Sequence, residues 1–280
     1  MRLGDVRQSS NVQDRRAGGG GRRVGIAASG VTLVVVIIVA VVTGKNPLTL
    51  LSGAGAPGDQ ASKTGATVDP NDPGAVFTRK ILATTEDTWK EALPRLGRPY
   101  EEPTLVLFRD GVDSACGFQE SAVGPFYCPA DKMAYVDLDF LDSLQKKLGA
   151  PGDFAAGYVI AHEVGHHVQK LLGTSDRVRA DGKDKGASGN AVRLELQADC
   201  YAGVWGFHVK QRGLLEVGDI DEALGAATAI GDDTLQRRGS GRVTPETFSH
   251  GTSEQRVRWF KRGMDAGDPK ACDTFATGSL

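Results

Sequence analysis

The chain has 280 residues, of which 24% are charged, 40% hydrophobic and 6% aromatic, and its formal net charge is −2. This composition excludes a disordered or fibrous chain, and the near-neutral balance leaves no basic footprint for nucleic acid. The charge is unevenly placed: residues 1–44 hold six Arg against two Asp, which is +4, so −6 falls on the remainder.

Residues 1–23 are basic and low in apolar content. Val24 to Val42 then runs for 19 residues without a charge, enough to cross a hydrocarbon core of about 30 Å at ~1.5 Å per residue. It reads as one transmembrane helix; the competitor is a cleaved signal peptide, but the following Val-Val-Thr-Gly-Lys is a poor cleavage site. With six Arg before it and only Lys45 just after it, the positive-inside rule expects a cytoplasmic tail at 1–23 and an extracytoplasmic remainder in the cell membrane. Residues 43–74 are rich in Gly, Pro, Ser and Ala without periodicity, as a flexible linker is. Residues 75–280 are long enough for one domain with its own core.

Within that domain, residues 75–96 show apolar positions at helical spacing, 104–108 read as a strand, and 133–140 alternate as a second strand. A largely buried helix is expected over 154–172, a polar loop over 173–189, a second buried helix over 190–209, and further helices over 219–236 and 253–266. The fold class is therefore α+β, with a small sheet first and mostly helix after it. Cys116, Cys128, Cys200 and Cys272 are an even set in a compartment that permits disulfides. Of three pairings, Cys116 with Cys128 and Cys200 with Cys272 are favoured; a four-cysteine metal site is disfavoured because there is no C-x-x-C pair.

The chemistry is concentrated in His162-Glu163-Val164-Gly165-His166. Residues i and i+4 share a helix face, so two imidazoles converge on one point suited to Zn²⁺. Glu163, displaced by about 100° around the helix, is placed as a general base for an activated water. Glu195, 29 positions after His166 on the next expected helix, can complete two His and one carboxylate with a fourth position open, the arrangement of a catalytic zinc site with one ion per chain. Asp199, one turn further, can hold a liganding imidazole through its other nitrogen. A solvated carboxylate pair would not explain why both lie in an otherwise apolar helix. His250 is a candidate donor to a developing oxyanion, weighed against a plain surface His, with Arg256 as an orienting or anchoring charge. His167 and His208 repeat no ligand spacing and read as packing or surface residues.

These segments, together with RLGDVRQSSNVQDRR, CGFQESAVGPFYCPADKMAYVDLDF, ELQADCYAGVW and SHGTSEQRVRWFKRGMDAGDPKACDTF, resemble the bacterial family of neutral zinc metallopeptidases, which are single-pass membrane proteins. HExxH followed by ExxxD is similar, more remotely, to the gluzincin proteases, including thermolysin and the CAAX-prenyl protease group. The resemblance implies a zincin-like domain with His162, His166 and Glu195 as metal ligands, Glu163 as base and Asp199 as support. It also implies that Ala115 to Phe118 match a segment whose edge strand pairs with substrate backbone, with Cys116-Gly117 departing from the usual small residue. His250 and Arg256 resemble a late His and Arg of the prenyl-protease group. The expected function is a membrane-anchored zinc peptidase acting on a peptide or protein substrate; the alternatives are a zinc-stabilised binding or scaffolding module without turnover, and hydrolysis of cell-wall peptides.

Overall fold

The computed structural model describes residues 1–16, 69, 71–120, 124–147, 152–181, 186–276 and 280. The expected transmembrane stretch 24–42 and most of the expected linker lie outside the described residues, among which no helix is long and apolar enough to cross a membrane. The first helix among the described residues, α1 (Pro73–Ala92), starts inside the stretch expected as linker because Asp72 caps it, accepting from the Ala75 amide at 2.9 Å, with Pro73 at the first helical position.

Among the described residues, six short strands follow the alternation of apolar residues. They are β1 (Val12–Asp14), β2 (Thr104–Phe108), β3 (Gly111–Ser114), β4 (Gly117–Glu120), β5 (Phe126–Cys128) and β6 (Met133–Asp137). Four form one sheet in the order β1-β2-β6-β5, with β1, β2 and β6 parallel and β5 antiparallel to β6. Period-2 alternation gives the sheet two buried faces. Leu105, Leu107, Ala134 and Val136 pack on the helices, while Val106, Phe108 and Tyr135 face Val112 and Cys128. The β3–β4 hairpin is a separate two-stranded sheet, and the Cys116–Cys128 disulfide ties its turn to β5.

The other α-helices among the described residues are α2 (Leu138–Lys147), α3 (Asp153–Leu171), α4 (Thr174–Asp181), α5 (Asn190–Gln211), α6 (Asp219–Ala229), α7 (Asp232–Ser240) and α8 (Ser253–Ala266). Two differences from the sequence reading concern this region. The segment expected as a polar loop contains α4, and the helix expected over 219–236 is two helices broken at Gly231, where a Cβ would lie 2.4 Å from the Ser253 amide. The core gathers Trp89, Tyr158, Trp205, Phe154 and Phe260, all fully buried, around α3 and α5.

Glycines set how closely the central helices approach. A Cβ on Gly165 of α3 would meet the Ala198 carbonyl of α5 at 3.0 Å. Between α5 and α8 the contact is tighter: a Cβ on Gly203 would lie 2.1 Å from the Phe260 carbonyl, and one on Gly263 1.9 Å from that of Cys200. The second disulfide, Cys200–Cys272, anchors the chain after α8 to the same stretch of α5.

Residues 1–16, expected as a tail apart from the domain, are packed on it. β1 pairs with β2 from Val12↔Leu105 to Asp14↔Leu107, and Met1 and Ser9 are buried.

Candidate metal centre

Helix α3 presents His162 and His166, and α5 presents Glu195 opposite them. His162 Nε2 lies 3.3 Å from Glu195 Oε2, and His166 Nε2 lies 3.5 Å from Glu195 Oε1. One ligand atom from each of the three falls within 4.8 Å of the others. The i,i+4 spacing sets the two rings side by side, with centroids 4.8 Å apart, and Gly165 lets α5 close in at Ala198, between Glu195 and Asp199.

Each imidazole has its other nitrogen committed. His162 Nδ1 is 2.9 Å from Asp199 Oδ1, and His166 Nδ1 is 2.9 Å from Gln169 Oε1. The Gln169 amide is itself oriented, since its Nε2 donates to the Leu194 carbonyl at 2.7 Å. Both acceptors place a hydrogen on Nδ1, which leaves an Nε2 lone pair on each ring facing Glu195. Two nitrogens and a carboxylate with their tautomers set in this way fit Zn²⁺.

The electrostatics also call for a cation here. Burial pushes His162 down, but the Asp199 charge and hydrogen bond more than reverse it, to about 10. Glu195 is lowered although burial opposes it, because His166 and His162 favour its charged form. Without metal, Asp199 and Glu195 hold a proton on the His162 ring; a divalent ion would satisfy the same anionic surroundings. Glu163 is 7% exposed, and burial raises its carboxyl above the ordinary range.

Asp199, fully buried, is the hub beneath the site. Besides His162 it accepts from Tyr158 Oη at 2.5 Å and from Arg256 through Nε and Nη2, each at 2.9 Å. Arg256 is 2% exposed and forked onto Asp199, the arrangement of a charge that orients through Asp199. His250 lies near enough to Glu195 for their charges to act on each other, and its Nδ1 is 3.1 Å from Asp232 Oδ1. Asp232, 1% exposed, also accepts from the Ser249, His250 and Gly251 amides through Oδ2. Gln169 and Asp232 were missed in the sequence. The signal for Gln169 is its i+3 spacing from His166, and for Asp232 its place in the first turn of a helix after Gly231.

Ala115 and Cys116 lie in the β3–β4 turn, and Gly117 and Phe118 begin β4, outside the four-stranded sheet. The outer strand of that sheet beside α3 is β5, from which Tyr127 Oη reaches His167 Nδ1 at 3.0 Å. His167 is buried and donates Nε2–H to the Glu101 carbonyl at 2.7 Å. His208, also buried, contacts the Gly267 carbonyl at 3.3 Å. Asp153, Asp219 and Glu222 form a second acidic group, with the Met1 ammonium 2.8 Å from Asp153 and 3.4 Å from Asp219.

Burial holds the His167 ring at a pKa of about 4 against an ordinary 6.5. A folded-state value below the unfolded one means that this group's contribution is complete above pH 6.5 and is lost as pH falls from 6.5 towards 4, by up to about 3 kcal/mol. Urea unfolding of the metal-free wild type and His167→Gln across that interval should show a shallower decline for the variant. Parallel declines would remove His167 from the account.

No solved structure matches the chain. It is 49% identical to the uncharacterized protein YpfJ of Escherichia coli, over 98% of this chain and 99% of that protein. It is 46% identical to the uncharacterized protein Rv2575 of Mycobacterium tuberculosis, over 72% of this chain and 71% of that one. A family model described as "Putative neutral zinc metallopeptidase" matches residues 1–275, so the metal centre and the segment packed against it both fall within the match, and the chain belongs to that family.

Proposed function

We propose that the chain hydrolyses peptide bonds with one zinc ion held by His162, His166 and Glu195, on peptide or protein substrates outside the cytoplasm. The observation that carries this reading is the presence of a buried base, Glu163, on the same helix turn as two imidazoles whose Nδ1 atoms are already committed. A purely structural site needs no such base. Two disulfides support an oxidising compartment.

When bound, zinc lowers the pKa of water towards ~7 and polarises a carbonyl. Glu163 takes the proton of the attacking water and delivers it to the leaving amine. His250, held through Nδ1 by Asp232, donates to the oxygen on which negative charge develops. The edge of β5, unpaired among the described residues, offers backbone groups for an extended substrate in the manner of β-augmentation.

The full chain should purify with about one zinc per molecule, cleave members of an unbiased peptide library, and lose cleavage with a chelator and regain it with zinc. Stoichiometric zinc without cleavage would leave a binding module in place of an enzyme; muropeptides in the same library test the cell-wall reading.

A further inference from the structure

The N-terminal segment carries an inference independent of the metal centre. Glu86 of α1 is 1% exposed, a placement a carboxylate tolerates only when its oxygens are matched. Its hydrogen-bond partners among the described residues all come from the first 16 residues: Arg7 Nη2 at 2.8 Å, Ser9 Oγ at 2.5 Å and Asn11 Nδ2 at 2.9 Å. The backbone adds a ladder, with the Leu105 amide donating to Asn11 O at 2.9 Å and the Arg15 amide to Leu107 O at 2.8 Å. β2 would be the edge of the sheet without it. Sheet pairing, a buried charge and burial of Ser9 together mark an element of the domain.

This segment ends where the domain resumes. Arg16 Nη1 pairs with Asp72 Oδ2 at 3.1 Å, so the intervening chain leaves and rejoins the fold at one place. A single crossing by residues 24–42 would put its two flanks on opposite sides of a membrane. A return crossing would have to come from residues 43–68, which contain Lys45, Asp59, Lys63, Pro47 and Pro57 and offer no apolar run of about 18 residues. Two of the six Arg residues that suggested a cytoplasmic tail have partners in the domain: Arg7 pairs with Glu86 and Asp87, and Arg16 with Asp72 as well as Asp14.

We propose that residues 1–16 are part of the folded domain in cis, and that they and the domain therefore lie on the same side of any membrane that residues 24–42 enter.

Ser10 and Lys261 are both exposed, and the four natural cysteines are paired, so Ser10→Cys and Lys261→Cys, each in the full chain, add one reactive thiol. Spheroplasts expressing each variant are treated with a membrane-impermeant maleimide, labelled peptides are identified by mass, and lysed cells show that both thiols can be reached. The proposal expects the two positions to behave alike, both labelled or both protected until lysis. Labelling of one with protection of the other overturns it and restores the single crossing.

Discussion

Glu163→Gln should lower kcat by about 10²–10⁴-fold or more, the usual contribution of a positioned general base, while bound zinc and the thermal midpoint stay at wild-type values. The isosteric amide keeps the volume and hydrogen-bonding reach of the side chain but cannot take a proton. It should not harm the fold, because Glu163 is buried and burial already disfavours its charged form; metal-free Glu163→Gln should be as stable as wild type or slightly more so. Turnover and zinc content measured on the same preparation decide the matter. Unchanged turnover would remove Glu163 from the chemistry, and lost zinc would make it a structural partner of the ion.

Arg256→Ala should be the most damaging substitution for stability. It leaves the fully buried Asp199 without both arms of its guanidinium partner, and removal of one member of a buried pair costs about 3–5 kcal/mol. For a domain of this size that is a fall in midpoint of roughly 10 °C. Because Asp199 also fixes the His162 ring, zinc affinity should drop by about 10–100-fold in whatever fraction stays folded. Arg256→Lys restores the charge without the fork and should recover only part of either loss. Calorimetry with competitive zinc titration checks both. Loss of activity with stability and zinc affinity intact would mean that Arg256 contacts substrate directly.

What could be read from the sequence follows the range of each interaction. His162, Glu163 and His166 depend on one helix turn, and their geometry is contained in their spacing. Glu195 and Asp199 needed one further step, the expectation that the next apolar helix packs on the first, and Gly165 supplies the close approach. Strand β2 was legible over 104–108 because a run of buried apolar residues has few other readings. Strands β1 and β5 have three residues each, too few for any period to show. Asp232 and His250 are joined across 18 positions by the helix and loop between them, which no local pattern encodes. Residues 1–16 were misread because their Arg residues were counted as free charge, whereas two of them have carboxylate partners, Glu86 and Asp72, more than 50 positions away in the chain.

The glycine contacts between α5 and α8 have a mechanical consequence. Main chain rests on main chain at Gly203 and Gly263, so at these two positions no compliant side chain lies between the helix bearing Asp199 and the helix bearing Arg256. A push on α8 is passed undamped to the guanidinium and thence to the His162 ring, so substitutions on the outer surface of α8 that tilt it, far from any substrate, should be felt as altered metal retention.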